Sequence, residues 1–244
     1  MALLSFAALA LATSFISGIF GMAGGMLLMG GLLLLFPVAD AMVLHGITQM
    51  ASNGWRAILW HRYIVWPIVG RYALGLISAG ALFLSLHLVP DQRFVFLILG
   101  ALPFISRVIP ARWLPQATRR GGAELCGFVG TSFQLLSGVS GPLVDVFFVR
   151  TPLDRRAIVA TKAACQVITH LAKLLYFGVL IGGATSASVS PLIMVLAVGC
   201  AIIGTTLARG FLERLSDHNF RRYTWWVVMS VGAVYLARGV SAFV

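Results

Sequence analysis

Ten apolar stretches separated by short polar or glycine-bearing segments run along this chain. They fall near residues 2–20, 26–36, 41–60, 64–88 and 94–106, then near 123–137, 142–149, 157–180, 189–208 and 223–243. A helix needs roughly 20 apolar residues to cross a bilayer. A helix also satisfies all of its own backbone hydrogen bonds, as lipid demands. Eight stretches are read on that basis as membrane helices, while 26–36 and 142–149 are too short to cross alone. Each short stretch follows a glycine cluster, Gly21-Met22-Ala23-Gly24-Gly25 in one case and Gly138-Val139-Ser140-Gly141-Pro142 in the other. Glycine and proline interrupt helices, so each cluster is expected at the apex of a broken or re-entrant helix pair. Irregular backbone at membrane depth persists only where protein buries it or a cavity receives it, which makes both clusters candidate site elements.

The pattern repeats. At a shift of 117 residues Gly21, Gly24 and Gln49 meet Gly138, Gly141 and Gln166; at a shift of 124, Pro67, Gly75 and Gly80 meet Pro191, Gly199 and Gly204. Each half holds five stretches, an odd number, so the halves are expected in opposite orientations. The predicted fold class is thus an all-α integral membrane protein of two inverted repeats, about five segments each, with a broken or re-entrant pair opening each repeat. Its parts are repeat 1 (1–108), a cytoplasmic linker (109–122) and repeat 2 (123–244), together one transport domain. Inverted repeats are a transporter signature, with the substrate bound near the midplane between them.

Composition sharpens this picture. Only 10% of the 244 residues are charged and 59% are hydrophobic, with a mean hydropathy of +0.95. A soluble domain carries about 25% charged residues, so a soluble enzyme, a disordered chain and a secreted disulfide scaffold are excluded. The net charge of +11 does not gather on one solvated face, as nucleic-acid binding would require. Most cations sit in four clusters: Arg56 and Arg62; Arg107, Arg112, Arg119 and Arg120; Arg150, Arg155 and Arg156; Arg209, Arg214, Arg221 and Arg222. Placing those clusters in the cytoplasm leaves both termini outside. The N-terminal apolar stretch has no positive n-region and is expected to stay as part of repeat 1. Trp55, Trp60, Trp66, Trp225 and Trp226 fit interfacial belts. Cys126, Cys165 and Cys200 show no metal or CxxC spacing and are read as core residues. Arg71, which has no cationic counterpart, is expected to snorkel to the cytoplasmic surface.

The repeat also carries a paired polar stripe. His45, Gln49, Ser52, Asn53 and Arg56 match Lys162, Gln166, Thr169, His170 and Lys173 position by position at the shift of 117. Spacings of 4, 7, 8 and 11 residues lie on one helix face, and both lysines of the protein belong to the stripe. Charged groups inside a membrane helix face a bundle interior or an aqueous cavity. The expectation is two inward-facing polar helices lining one site. Cations, imidazoles, amides and hydroxyls with no carboxylate among them favour a small anion, and broken helices add backbone N–H groups and positive half-helix ends. The candidate substrate contacts are therefore His45, Gln49, Asn53, Arg56, Lys162, Gln166, Thr169, His170 and Lys173. Gly21, Gly24, Gly25, Gly138, Ser140 and Gly141 shape the apices. Asp145 is a candidate proton-coupling group, with neutralisation of Lys162 or Lys173, or an interfacial position, as its other readings; His45 and His170 also titrate near neutral pH. No HExxH motif, clustered carboxylates or nucleotide-binding motif is present, so no catalytic residue, metal or cofactor is expected and a motor would have to come from a partner.

Two glycine-rich broken segments, each followed by a proline-containing loop (Phe36-Pro37 and Thr151-Pro152) and a polar helix, resemble the sulfite exporter TauE/SafE family, also called the sulfonate uptake permease family. The resemblance covers roughly residues 10–240. Its glycine motif carries over to Gly21, Gly24, Gly25, Gly138 and Gly141, with Pro142 where the family often has another glycine. The resemblance implies transport of a small sulfur-containing anion such as sulfite, thiosulfate or an organosulfonate in the bacterial inner membrane. The expected partners are that anion and the lipid bilayer, with a homodimer as a candidate assembly. Alternating access is the expected mechanism, proton coupling one form of it, and a passive anion channel the alternative.

Overall fold

A computed structural model describes residues 2–20, 22–180, 190–212 and 217–241. Among these the chain is all helical, in ten α-helices with no strand: α1 (Ala2–Phe20), α2 (Met22–Leu35), α3 (Val38–Leu59), α4 (Trp66–Leu86), α5 (Gln92–Val108), α6 (Gly122–Ser137), α7 (Gly141–Phe148), α8 (Arg155–Leu175), α9 (Pro191–Leu212) and α10 (Asp217–Ser241). A π-helical turn, Tyr176–Leu180, continues α8. Among the described residues three helical segments are long and apolar enough to cross a membrane: Trp66–Leu86, Arg155–Leu180 and Pro191–Ala208. α3 is 22 residues long, but its polar stripe dilutes the apolar run.

Helix ends follow local chemistry. Asp154 caps α8 by accepting from the backbone N–H groups of Arg156 (2.7 Å) and Ala157 (3.0 Å), as a carboxylate does at an N-terminus. Asp91 caps α5 through the N–H of Arg93. Proline at the first turn starts α4 and α7, where its missing N–H costs nothing.

The first break differs from the expected apex. Only position 21, which lies outside the described residues, separates α1 from α2, and Gly24 and Gly25 are helical. Gly24 lets α2 fold back on α1, since a Cβ there would run into the Thr13 carbonyl and the Ser17 backbone. The second break is a short non-helical interruption, Gly138 to Ser140, between α6 and α7. Gly138 terminates α6 at φ +79°, and a Cβ on it would meet Met29 Sδ at 2.6 Å. Both the left-handed backbone and the tight contact demand glycine.

α3 and α8 cross at the centre. Gly46 faces Leu174 and Lys173, and Gly54 faces Val167, so the two helices run antiparallel. Around them α1 packs on α9, α4 on α6, and α5 on α10. Glycines at the crossings allow backbones to touch, as membrane helices without a hydrophobic driving force require. Gly75 and Gly127 do this between α4 and α6, and Gly204 lies against Leu11 and Phe15 of α1. The outward side chains Leu74, Ile77, Val195 and Ile203 are exposed, as a lipid-facing surface would be.

Arg71 does not snorkel freely. Its guanidinium grips the Glu124 carboxylate with two bonds of 2.8 Å and also donates to the Arg119 carbonyl. The partner stands 53 positions away on α6, so no local pattern announced it.

Candidate functional site

The stripe side chains converge where α3 and α8 cross, and most are withdrawn from solvent: His45, Gln49, Asn53, Thr169, His170 and Lys173 are all buried, Lys173 completely. Because the helices are antiparallel, the start of one stripe meets the end of the other.

At one end Lys173 Nζ lies 2.7 Å from His45 Nδ1 and 3.1 Å from the Gly138 carbonyl. His45 Nε2 reaches the Gly25 carbonyl at 3.0 Å. A carbonyl can only accept, so Nε2 carries the hydrogen and Nδ1 of the neutral ring accepts from Lys173. The positive φ that ends α6 at Gly138 turns its carbonyl toward this cluster. The Lys173–His45 contact thereby links α2 and α3 of the first half to α8 and the α6–α7 break of the second.

Gln134 organises the rest. Its Nε2 donates to the Gly138 carbonyl at 2.7 Å and contacts His170 Nδ1 at 3.1 Å, while its Oε1 accepts from Ser140 Oγ at 2.9 Å. The amide orientation is forced, because an Oε1 placed against the Gly138 oxygen would repel it. Gln166 Nε2 donates to Ser140 Oγ at 3.2 Å, and the His45 and His170 rings lie 5.5 Å apart. Gln134 was not among the residues expected from sequence. Its signal was a lone amide in an apolar segment, four residues before a break.

Gln49 is different. It is buried beside Gly25, yet its Nε2 has no hydrogen-bond partner among the described residues. A buried unpaired donor is costly, and a ligand oxygen would relieve it.

At the opposite end Lys162 pairs with Asp145 of α7, both about 30% exposed or less, and Arg56 donates to the Ser17 carbonyl at 3.2 Å. The contact seen for Asp145 is the neutralising one, to Lys162. Truncation of Asp145 to alanine is expected to cost about 2 kcal/mol, a buried-pair penalty discounted for partial exposure. Thermal unfolding in detergent should show that loss, and Asp145→Ala combined with Lys162→Met should restore most of it.

Asn53 donates to the Gln49 carbonyl of its own helix. Thr169 donates to the Cys165 carbonyl and receives the Tyr72 hydroxyl at 2.8 Å. Ser52 bonds Thr205 of α9 at 2.8 Å. These groups are committed to neighbouring helices, and Tyr72 and Thr205 were likewise not foreseen. Of the apex residues, Gly25 and Ser140 touch the cluster, through the Gly25 carbonyl on His45 and the Ser140 hydroxyl on Gln134 and Gln166. Gly24 faces Thr13 and Ser17 of α1 instead, Gly141 opens α7, and Gly21 lies outside the described residues. Among the described residues no three His, Cys, Asp or Glu side chains gather in a metal-binding group.

A helical bundle with apolar outer faces, two helix breaks and a buried cationic polar centre is a multi-pass membrane protein of the transporter class. The chain belongs to the family described as "Sulfite exporter TauE/SafE", which matches residues 6–235. It is also similar to a protein of Cupriavidus necator described as "Probable sulfite/organosulfonate exporter TauE", 25% identical over 253 residues that cover 99% of this chain and 96% of that one. No solved structure matches the chain.

Proposed function

We propose that this protein exports a small sulfur-containing anion, sulfite, thiosulfate or an organosulfonate, across the bacterial inner membrane by alternating access. The observation that carries this reading is the donor set of buried Lys173, His45, Gln49, Gln134 and Ser140, with half-buried Gln166, where α3 and α8 cross beside the α6–α7 break, inside a chain of an exporter family. Donors of this kind suit tetrahedral or pyramidal oxyanions, whose several oxygens take several N–H groups at once.

The repeat reading has support in the helix pairings. Exchanging each helix of the first half for its counterpart in the second turns α1 on α9 into α6 on α4, and leaves α3 on α8 and α5 on α10 as they are. The same exchange turns the His45–Lys173 end of the site into the Lys162–Arg56 end. Segments 1–108 and 123–244, joined by the linker 109–122, would rock about this axis. With the cation clusters in the cytoplasm both termini would lie outside, and a homodimer would use one of the apolar outer faces. Coupling to protons belongs to this reading.

The test is flux through purified protein in proteoliposomes, with sulfite, thiosulfate, sulfoacetate, taurine, sulfate and chloride as probes. Saturable, competable flux of a sulfur anion is expected. Unsaturable chloride conductance would instead identify a channel, and no flux of any sulfur anion would overturn the substrate class.

A further inference from the structure

Lys173 is a fully buried amine that faces no carboxylate among the described residues, and its hydrogen bonds can be counted. A neutral amine has two N–H donors, and two acceptors stand around it: His45 Nδ1 and the Gly138 carbonyl. In that state both N–H groups of Lys173 are satisfied without a ligand. One added proton changes the count. If the proton stays on Lys173, the ammonium has three N–H groups and only two acceptors. If it sits on His45 Nδ1, that N–H donates back to the lysine lone pair and releases one amine N–H. Either placement leaves one unpaired N–H and one buried positive charge.

The surroundings do not neutralise that charge. From α3 the facing titratable group is His45, and from α8 itself it is His170. α6 presents the Gln134 amide and the Gly138 carbonyl, and α2 the Gly25 carbonyl. Tyr72 of α4 is bonded to Thr169, and Tyr176 of the π-helical turn is bonded to the carbonyls of Phe83 and Leu88. Among the described residues no carboxylate lies within ion-pair distance of Lys173, and Asp145 is engaged with Lys162 at the far end, beside Arg56. His170 is a poorer proton acceptor, because a hydrogen on its Nδ1 would confront the N–H of Gln134. A buried charge needs a counter-charge, and an anion is what the unpaired N–H and the orphan Gln49 amide would hold.

We propose that Lys173, braced by His45, is the proton carrier of this transporter, taking up one proton with each anion so that both cross in the same direction. This rests on the substrate reading above. A monoanion then moves without net charge, driven by its own gradient, aided or opposed by the pH gradient according to direction, and indifferent to membrane potential. A dianion carries one net negative charge.

The test uses proteoliposomes containing a trapped pH dye, with potential set by potassium and valinomycin. Methanesulfonate is the probe for net flux, because its charge is constant across the working pH range; labelled sulfite and methanesulfonate are first tested for exchange. Wild-type protein should acidify the lumen as methanesulfonate enters, at a rate independent of potential and raised several-fold by an acidic exterior. Lys173→Arg keeps a cation that cannot release its proton. Its exchange should be slower than wild type, its stimulation by an acidic exterior lost, its net flux dependent on potential and the dye silent. If sulfite alone exchanges, the deciding readout is whether Lys173→Arg becomes more potential-dependent than wild type. Net wild-type flux with no proton movement, or proton-coupled flux through Lys173→Arg, would overturn the carrier and leave the substrate site standing. No exchange of either probe would overturn the site and the carrier together.

Discussion

Lys173→Met is expected to lower saturable sulfur-anion flux by about 100-fold while the protein stays folded and monodisperse. A hydrogen bond to a charged group contributes up to about 3 kcal/mol, and 1.4 kcal/mol corresponds to a factor of ten. Stability should barely change, for two opposing reasons. Methionine of similar length removes the cost of burying an amine among apolar helices. It leaves His45 Nδ1 without its donor, while the Gly138 carbonyl keeps the Gln134 amide. A thermal scan in detergent beside the flux assay separates these effects. A variant that unfolds would make Lys173 a structural brace, and one that transports normally would remove it from the site.

The second large effect is expected at the α4–α6 crossing. Gly127→Val should destabilise the protein by about 3 kcal/mol or more, beyond ordinary overpacking. A Cβ at Gly127 would enter the Tyr72 carbonyl, and its counterpart at Gly75 would enter the Glu124 carbonyl and approach the Phe128 nitrogen at 2.6 Å. Backbone atoms of a facing helix cannot rotate aside as a side chain would, so the helices must separate. Separation would also strain the Tyr72–Thr169 bond and the Arg71–Glu124 pair. Gly70→Ala and Gly80→Ala, where a Cβ meets nothing within 4 Å, serve as controls. Both lie within α4, and both are expected to be neutral or to stabilise by up to about 1 kcal/mol. Equal losses at all three sites would show that close packing is not what Gly127 provides.

The contrast among glycines explains what was legible in the sequence. Helix periodicity placed His45, Gln49 and Asn53 on one face of α3 and Gln166, His170 and Lys173 on one face of α8, because a face depends only on spacing. It could not say which residue meets which. The antiparallel crossing brings His45 to Lys173, 128 positions away, and the packing of α7 brings Asp145 to Lys162 rather than to Lys173. Glycine clusters marked both breaks, but Gly24 and Gly25 sit inside α2, since a glycine that permits close packing reads the same as one that ends a helix. Gln134 stayed hidden because one amide in an apolar run makes no pattern; only the turn at Gly138 gives it work. The ends of α5 and α10 ran past their apolar cores, to Val108 and back to Asp217. Polar interfacial residues extend a helix without contributing to its apolar signal.

The central claim is that an anion binds at Lys173 between the two halves. The protein contains just two lysines, Lys162 and Lys173, so uniform ζ-15N lysine labelling gives two side-chain signals, assigned by Lys162→Arg. The account predicts that saturating sulfite or methanesulfonate shifts the Lys173 signal into the ammonium range while chloride at equal ionic strength leaves it in place. A Lys173 signal unmoved by either sulfur anion would contradict the account.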